Sequence, residues 1–165
     1  MRSSARLYLD TNILILFKEI QSPEQERLAA LLAACRSLGN IPFTSMLTYS
    51  ELLVKPLANG NRDLIETYEG WMGRGSWLNT VPISSKVLLI ASLIRAGSRK
   101  TKLPDAIHLA SAIVAGCSVF LSADAGLLDI DELVHPMRGK LPITPLKVLR
   151  PDDPTLTALL ESMTA

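Results

Sequence analysis

Four carboxylates in this chain stand where charge is costly. Asp10 closes the apolar run Leu7-Tyr8-Leu9, and Glu51 is the lone charge between Ile41 and Val54. Asp105 precedes a stretch without formal charge from Ala106 to Ala123, and Asp124 follows that stretch directly. Taken singly, each has an ordinary explanation. Asp105 suits the first turn of a helix, Asp10 and Asp124 suit caps or turns, and Glu51 suits a solvated helix face. Charges isolated in apolar segments are unfavourable unless they line a cleft or find partners. Gathered at one place they would repel one another and require a counterion, and oxygen-only donors specify a hard cation, Mg²⁺ or Mn²⁺. No His or Cys accompanies them at ligand spacing, which argues against zinc. Carboxylates holding such ions suit phosphodiester hydrolysis, in which the metal polarises a phosphoryl oxygen and activates water. A Walker A loop, a GxGxxG turn, a Ser-His-Asp order and a nucleophilic Cys motif are all missing from the sequence.

These acids need elements to hold them. Ala5–Leu9 reads as a short strand, Ile13–Glu19 as a helix, and Ser22-Pro23-Glu24-Gln25 as the start of a helix stopping at Gly39. Ile41–Ser45 reads as a second strand, followed by a helix that carries Glu51 and ends at Pro56. A helix beginning at Asn61–Gly70, a strand at Asn79–Ile83 and a helix capped by Ser84-Ser85 and stopped at Gly97 come next. Leu103-Pro104-Asp105 opens a helix stopped at Gly116, and Ser118–Ser122 and Ile143–Leu149 are the last strands. Strands alternating with helices imply an α/β fold, a parallel sheet covered on both faces. Pro42, Pro82 and Pro145 lie in or beside the second, third and last strands, so the first and fourth belong in the middle. Adjacent central strands whose helices leave in opposite senses make a switch point, where ligands bind beyond the strands' C-terminal ends. Asp10 and Asp124 sit at those two ends.

The whole-chain numbers agree with a globular protein. In 165 residues, 48% are hydrophobic and 20% charged, which favours one folded domain over a disordered tail. Seventeen basic residues against 16 acidic ones give a net charge of +1, excluding a strongly basic DNA-wrapping protein. If four of those acids belong to one pocket, the remaining surface is mildly basic. Cys35 and Cys117 lie far apart in apolar surroundings and read as buried free thiols. Arg2 and Arg6 precede an apolar stretch, but Asp10 and Asn12 interrupt it, so it is not read as a signal peptide. A cytoplasmic protein with no membrane span is expected.

The motifs then resemble a known family. Leu7-Tyr8-Leu9-Asp10-Thr11-Asn12-Ile13-Leu14 is similar to the opening motif of PIN-domain nucleases, and Thr48-Tyr49-Ser50-Glu51-Leu52 resembles their helix-borne glutamate. Leu103-Pro104-Asp105-Ala106-Ile107-His108-Leu109-Ala110-Ser111-Ala112 resembles their third acidic motif, and Ser122-Ala123-Asp124 the fourth, with Ser where Thr is commoner. The resemblance implies a PIN-like three-layer sandwich whose parallel five-stranded sheet has the order 3-2-1-4-5. It implies one domain over residues 1–150, with 151–165 as a tail or short helix. It further implies a Mg²⁺- or Mn²⁺-dependent endoribonuclease similar to VapC-type toxins, neutralised by an antitoxin protein. Separately, the apolarity of Ile41–Leu57 and of region 56–78 is read as a dimer or partner groove, so a homodimer is expected.

On that resemblance, Asp10, Glu51 and Asp105 form the metal cradle and Asp124 holds a second ion or a water. Asn12 hydrogen-bonds within the first motif, and the Ser122 hydroxyl orients Asp10. Arg95, Arg99, Lys100 and Lys102 crowd the approach to Asp105, as a solvated helix end or as contacts to RNA phosphates. Tyr49, Trp71 and Trp77 read as core or partner contacts rather than a base-stacking platform, since only 5% of the chain is aromatic. His108 and His135 are given no catalytic role. Two other classes stay open: a phosphatase or phosphoacceptor with Asp10 as nucleophile, and a catalytically inactive PIN-like binding module.

Overall fold

Strand β1 (Leu7–Leu9) carries side chains that are buried on both faces, and the rest of the sheet is built around it. The computed structural model describes residues 5–165, so Arg2 and the first four residues of the expected 1–150 domain lie outside the described residues. After β1 come α1 (Thr11–Glu19), α2 (Pro23–Ser37), β2 (Phe43–Ser45), α3 (Met46–Asn59), α4 (Arg62–Met72) and β3 (Asn79–Val81). Helices α5 (Ser85–Gly97) and α6 (Leu103–Val114) precede β4 (Val119–Leu121). A small hairpin, β5 (Val134–His135) and β6 (Gly139–Lys140), leads to β7 (Lys147–Leu149) and α7 (Asp153–Thr164).

The five-stranded sheet is wholly parallel and has the order β3-β2-β1-β4-β7. This is the expected order, with β7 as the fifth strand of the sheet. Strand alternation divides the core into two layers. Leu7, Leu9 and Leu121 point into a cluster with Ile13, Leu28, Leu31, Leu52 and Tyr68, which places α1, α2, α3 and α4 on one face. Tyr8 and Phe120 point the other way, into a cluster with Val87, Ile90, Ala106 and Ala110 from α5 and α6. Tyr8 is paired with Phe120 across β1 and β4, and their rings stack with centroids 4.8 Å apart. Burying each such side chain is worth about 1.5–3 kcal/mol, so these layers dominate the fold's stability.

Three local readings change. Pro56 does not end its helix: α3 continues to Asn59, and Gly60, at φ 65°, closes it. The proline ring is buried, and it lies in the last turns, where the missing N–H breaks little of the helix. Behind it, Asn61 N donates to Pro56 O at 2.9 Å, completing the C-terminal cap. The last strand is shorter than Ile143–Leu149, because Leu146 instead bridges antiparallel to Ile130. The hairpin β5–β6 was not expected, since two-residue strands show no alternation to read.

The final segment is a regular helix. The Asp152 side chain accepts from Thr155 N at 2.9 Å, and Leu156 and Leu159 are buried in the same cluster as Leu28 and Leu31. Cys35 and Cys117 are free and buried, and burial pushes their thiols up to about 11 and about 12. They stay protonated at neutral pH and act as small apolar residues. Among the described residues, no helix is long and apolar enough to cross a membrane.

Candidate active site

The parallel pairing of β1 and β4 sets their C-terminal ends side by side, and Asp10 N donates to Leu121 O at 3.1 Å. Asp10 is 8% exposed and starts α1, with its Oδ1 accepting from Thr11 N at 2.8 Å. Its Oδ2 accepts from the Ser122 hydroxyl at 2.7 Å and from Asn12 Nδ2 at 3.2 Å. Ser122 is fully buried, and its oxygen also accepts from Asp124 N at 3.0 Å. Asn12 Oδ1 accepts from Ala123 N at 3.0 Å, tying the first acidic motif to the fourth. The Ser122 hydroxyl and the Asn12 amide thus both donate to Asp10 Oδ2.

Asp105 occupies the first turn of α6, where the helix dipole favours a carboxylate. Its pKa is nevertheless raised, by burial first and then by the charges of Asp124 and Asp10. His108 and Lys102 only partly offset this. Asp105 thus feels the charges of two other sequence-selected acids, Asp124 and Asp10. A contrast lies in the same cleft: Asp129 bonds to Lys147 Nζ at 2.9 Å and Val148 N at 2.8 Å, and these hold its pKa below the ordinary range. Asp129 is paired directly with a lysine, whereas Asp105 makes no salt bridge among the described residues and feels Lys102 only at a distance.

Glu51 is placed differently. Its Oε1 lies 2.5 Å from His108 Nε2 and 3.3 Å from the Thr11 hydroxyl. The same ring nitrogen is 3.8 Å from Asp10 Oδ1, so His108 stands between the two acids. The ring is 2% exposed, and its Nδ1 meets the Tyr8 hydroxyl at 2.7 Å. Sequence reasoning passed over His108, although signals were present. His108 follows Asp105 by three positions, one turn along the same helix face, and Tyr8 shares Asp10's face of β1. His135 belongs to the hairpin, where its Nδ1 accepts from Met137 N at 3.1 Å.

Asp105, Asp124, Lys100 and Lys102 are among the residues lining a cleft of about 600 Å³, which Asp10 and Glu51 do not line. Arg95 donates to Thr101 O at 3.3 Å, and Arg99 is exposed and does not line the cleft. Trp71 and Trp77 pack edge to face on each other, 5.2 Å apart, and against Phe17, as core-side aromatics rather than a platform beside the acids. Among the described residues, no group of three His, Cys, Asp or Glu side chains converges as a ready-made metal cage. The donor set still fits a hard cation. Mg²⁺ is usually held by one or two carboxylates with several waters and substrate phosphate, and the charges of Asp124 and Asp10 felt by Asp105 would favour a cation there.

A sheet of order 3-2-1-4-5 type with acids at its switch point defines an α/β protein whose chemistry belongs beyond the strand ends. The chain belongs to the PIN domain family, whose family model matches residues 7–133. PIN domains are generally nucleases. Among solved structures it is similar to a chain described as "Toxin-antitoxin complex from Klebsiella pneumoniae", with a TM-score of 0.56 and 19% identity. The match covers 90% of this chain and 98% of that one, and at this identity it speaks to the fold. Comparison with curated proteins finds no match.

Proposed function

We propose that this protein is a Mg²⁺- or Mn²⁺-dependent endoribonuclease that acts as a toxin and is held inactive by an antitoxin protein. The observation that carries the reading is the placement of Asp10 and Asp124 at the C-terminal ends of the adjacent central strands β1 and β4, with Asp105, Lys100 and Lys102 lining the same cleft as Asp124. Asp10, Asp105 and Asp124 would hold the ion, with Glu51 reaching the site through its second oxygen. A bound divalent ion supplies positive charge for the scissile phosphate and activates a water.

The chain's own residues do the positioning. Ser122 and Asn12 fix Asp10 Oδ2, and the start of α1 fixes its Oδ1, so this carboxylate is oriented before any ligand arrives. Lys100 and Lys102 supply phosphate contacts along the cleft wall and draw RNA toward an otherwise acidic pocket. The antitoxin partner rests on family membership and on the description of the solved relative. The phosphatase alternative is less favoured: the residue two positions after Asp10 is Asn12, whose amide is used on Asp10, Ser122 and Ala123 rather than as an acid.

The reading is tested by expressing the chain with and without the product of its neighbouring gene. Growth arrest that the neighbour relieves, with RNA fragments accumulating during arrest, supports it. Unchanged growth and intact RNA at high expression would contradict it.

A further inference from the structure

We propose that Tyr8 and His108 form a buried relay that positions Glu51, holding one of its oxygens inward and leaving the other for the site. The proposal assigns roles to two residues outside the acidic set, and its functional arm rests on the nuclease reading above.

The relay has a direction. A phenolic hydroxyl carries its proton at neutral pH and can donate it. That hydroxyl meets His108 Nδ1 at 2.7 Å and donates to it. A ring nitrogen that accepts from the phenol carries no hydrogen itself, so the ring hydrogen sits on Nε2. Nε2 in turn faces Glu51 Oε1 at 2.5 Å, and a carboxylate can only accept. Each donor finds an acceptor, and no buried side-chain nitrogen or oxygen among the described residues lacks a partner.

The relay is anchored on rigid parts. Tyr8 is fully buried in the central strand and stacks on Phe120, and His108 is 2% exposed on α6. Glu51 is by contrast a surface side chain, 37% exposed, on a different helix. Left alone, a glutamate there would sample several rotamers. The ring nitrogen and the Thr11 hydroxyl both claim Oε1, so the rotamer is fixed and Oε2 is left without a protein partner among the described residues. Tyr8 and His108 touch neither substrate nor reacting atoms in this scheme. They are positioning residues, acting from the sheet's interior through Glu51.

Ring nitrogen spectra of the metal-free protein test the relay first. The chain has two histidines, so a His135→Gln variant assigns the signals of His108. Hydrogen on Nε2 and a bare Nδ1 are expected, whereas a ring protonated at Nδ1 would overturn the proposal. Tyr8→Phe keeps the stacking ring and removes only the hydroxyl. It is expected to mix the His108 tautomers, to move the Glu51 carboxyl carbon resonance, and to weaken Mn²⁺ binding and kcat about tenfold with little change in KM. His108→Gln, which retains an amide donor, is expected to keep more of both than His108→Leu. A Tyr8→Phe protein with an unmoved Glu51 resonance and wild-type Mn²⁺ binding would overturn the relay. If the wild-type tautomer and the Glu51 response hold while the protein cleaves no RNA, the relay stands and the nuclease reading fails.

Discussion

Removing the Ser122 hydroxyl is the most informative single change to the scaffold of the site. The group has one hydrogen and two lone pairs, and all are used. It donates to Asp10 Oδ2 at 2.7 Å and accepts from Asp124 N at 3.0 Å and Asn12 Nδ2 at 3.2 Å. A hydrogen bond to a charged group is worth about 1.5–3 kcal/mol. Orphaning the Asp124 N–H adds less than the full desolvation cost, because Asp124 is exposed and water reaches its surroundings. Ser122→Ala is therefore expected to destabilise the fold by about 2–3 kcal/mol. For a chain of this length that lowers Tm by roughly 5–10 °C. Thermal unfolding followed by circular dichroism reads the shift. Ser122→Thr, which keeps the hydroxyl, should stay closer to wild type in the cleavage assay than Ser122→Ala. A Ser122→Ala protein within about 0.5 kcal/mol of wild type, with unaltered cleavage, would refute the reasoning that this hydroxyl orients Asp10.

Other outcomes follow from the same geometry. Asp124→Asn should lower the Asp105 pKa toward the ordinary range without reaching it, because burial, the largest cause of the shift, remains. The sign for stability is fixed: Asp105 is raised in the folded state, so its contribution is fully present below the ordinary 3.8 and is lost as pH rises through the raised value. A carboxyl carbon titration measures the first effect, and an unmoved Asp105 would contradict it. Replacing Lys100 and Lys102 together by Ala should flatten the salt dependence of RNA binding by about two units of slope or slightly less; an unchanged slope would make them a solvated helix end. Leu156→Ala should cost about 2–5 kcal/mol in urea unfolding, because this fully buried side chain ties α7 into the main core; a cost near zero would make 151–165 an appendage.

Much of this was legible in the sequence, for physical reasons. Proline cannot donate to a ladder, so its absence from Leu7–Leu9 and Val119–Leu121 marked β1 and β4 as adjacent central strands, and charge isolation marked the acids at their ends. Ser22 and Ser84 cap their helices as their spacing indicated, accepting from Gln25 N and Val87 N. The rest depended on contacts between distant residues. Pro56 looked like a terminator because the burial that tolerates its ring is tertiary. His108 looked unpartnered because Tyr8 lies 100 positions away and Glu51 57 positions away, and nothing local reports either contact. The pairing of Asp129 with Lys147, which separates a salt-bridged acid from Asp105 in the same cleft, was equally hidden.

The most direct measurement is cleavage of single-stranded RNA by the purified protein in Mn²⁺ or Mg²⁺, compared with Asp10→Asn under the same conditions. Asparagine can still cap α1 through its side-chain oxygen, so the variant should remain folded. The expected result is cleavage by wild type that a chelator abolishes, and none by Asp10→Asn. Equal cleavage by both proteins, or wild-type cleavage that survives the chelator, would contradict an acidic site that works by holding a divalent ion.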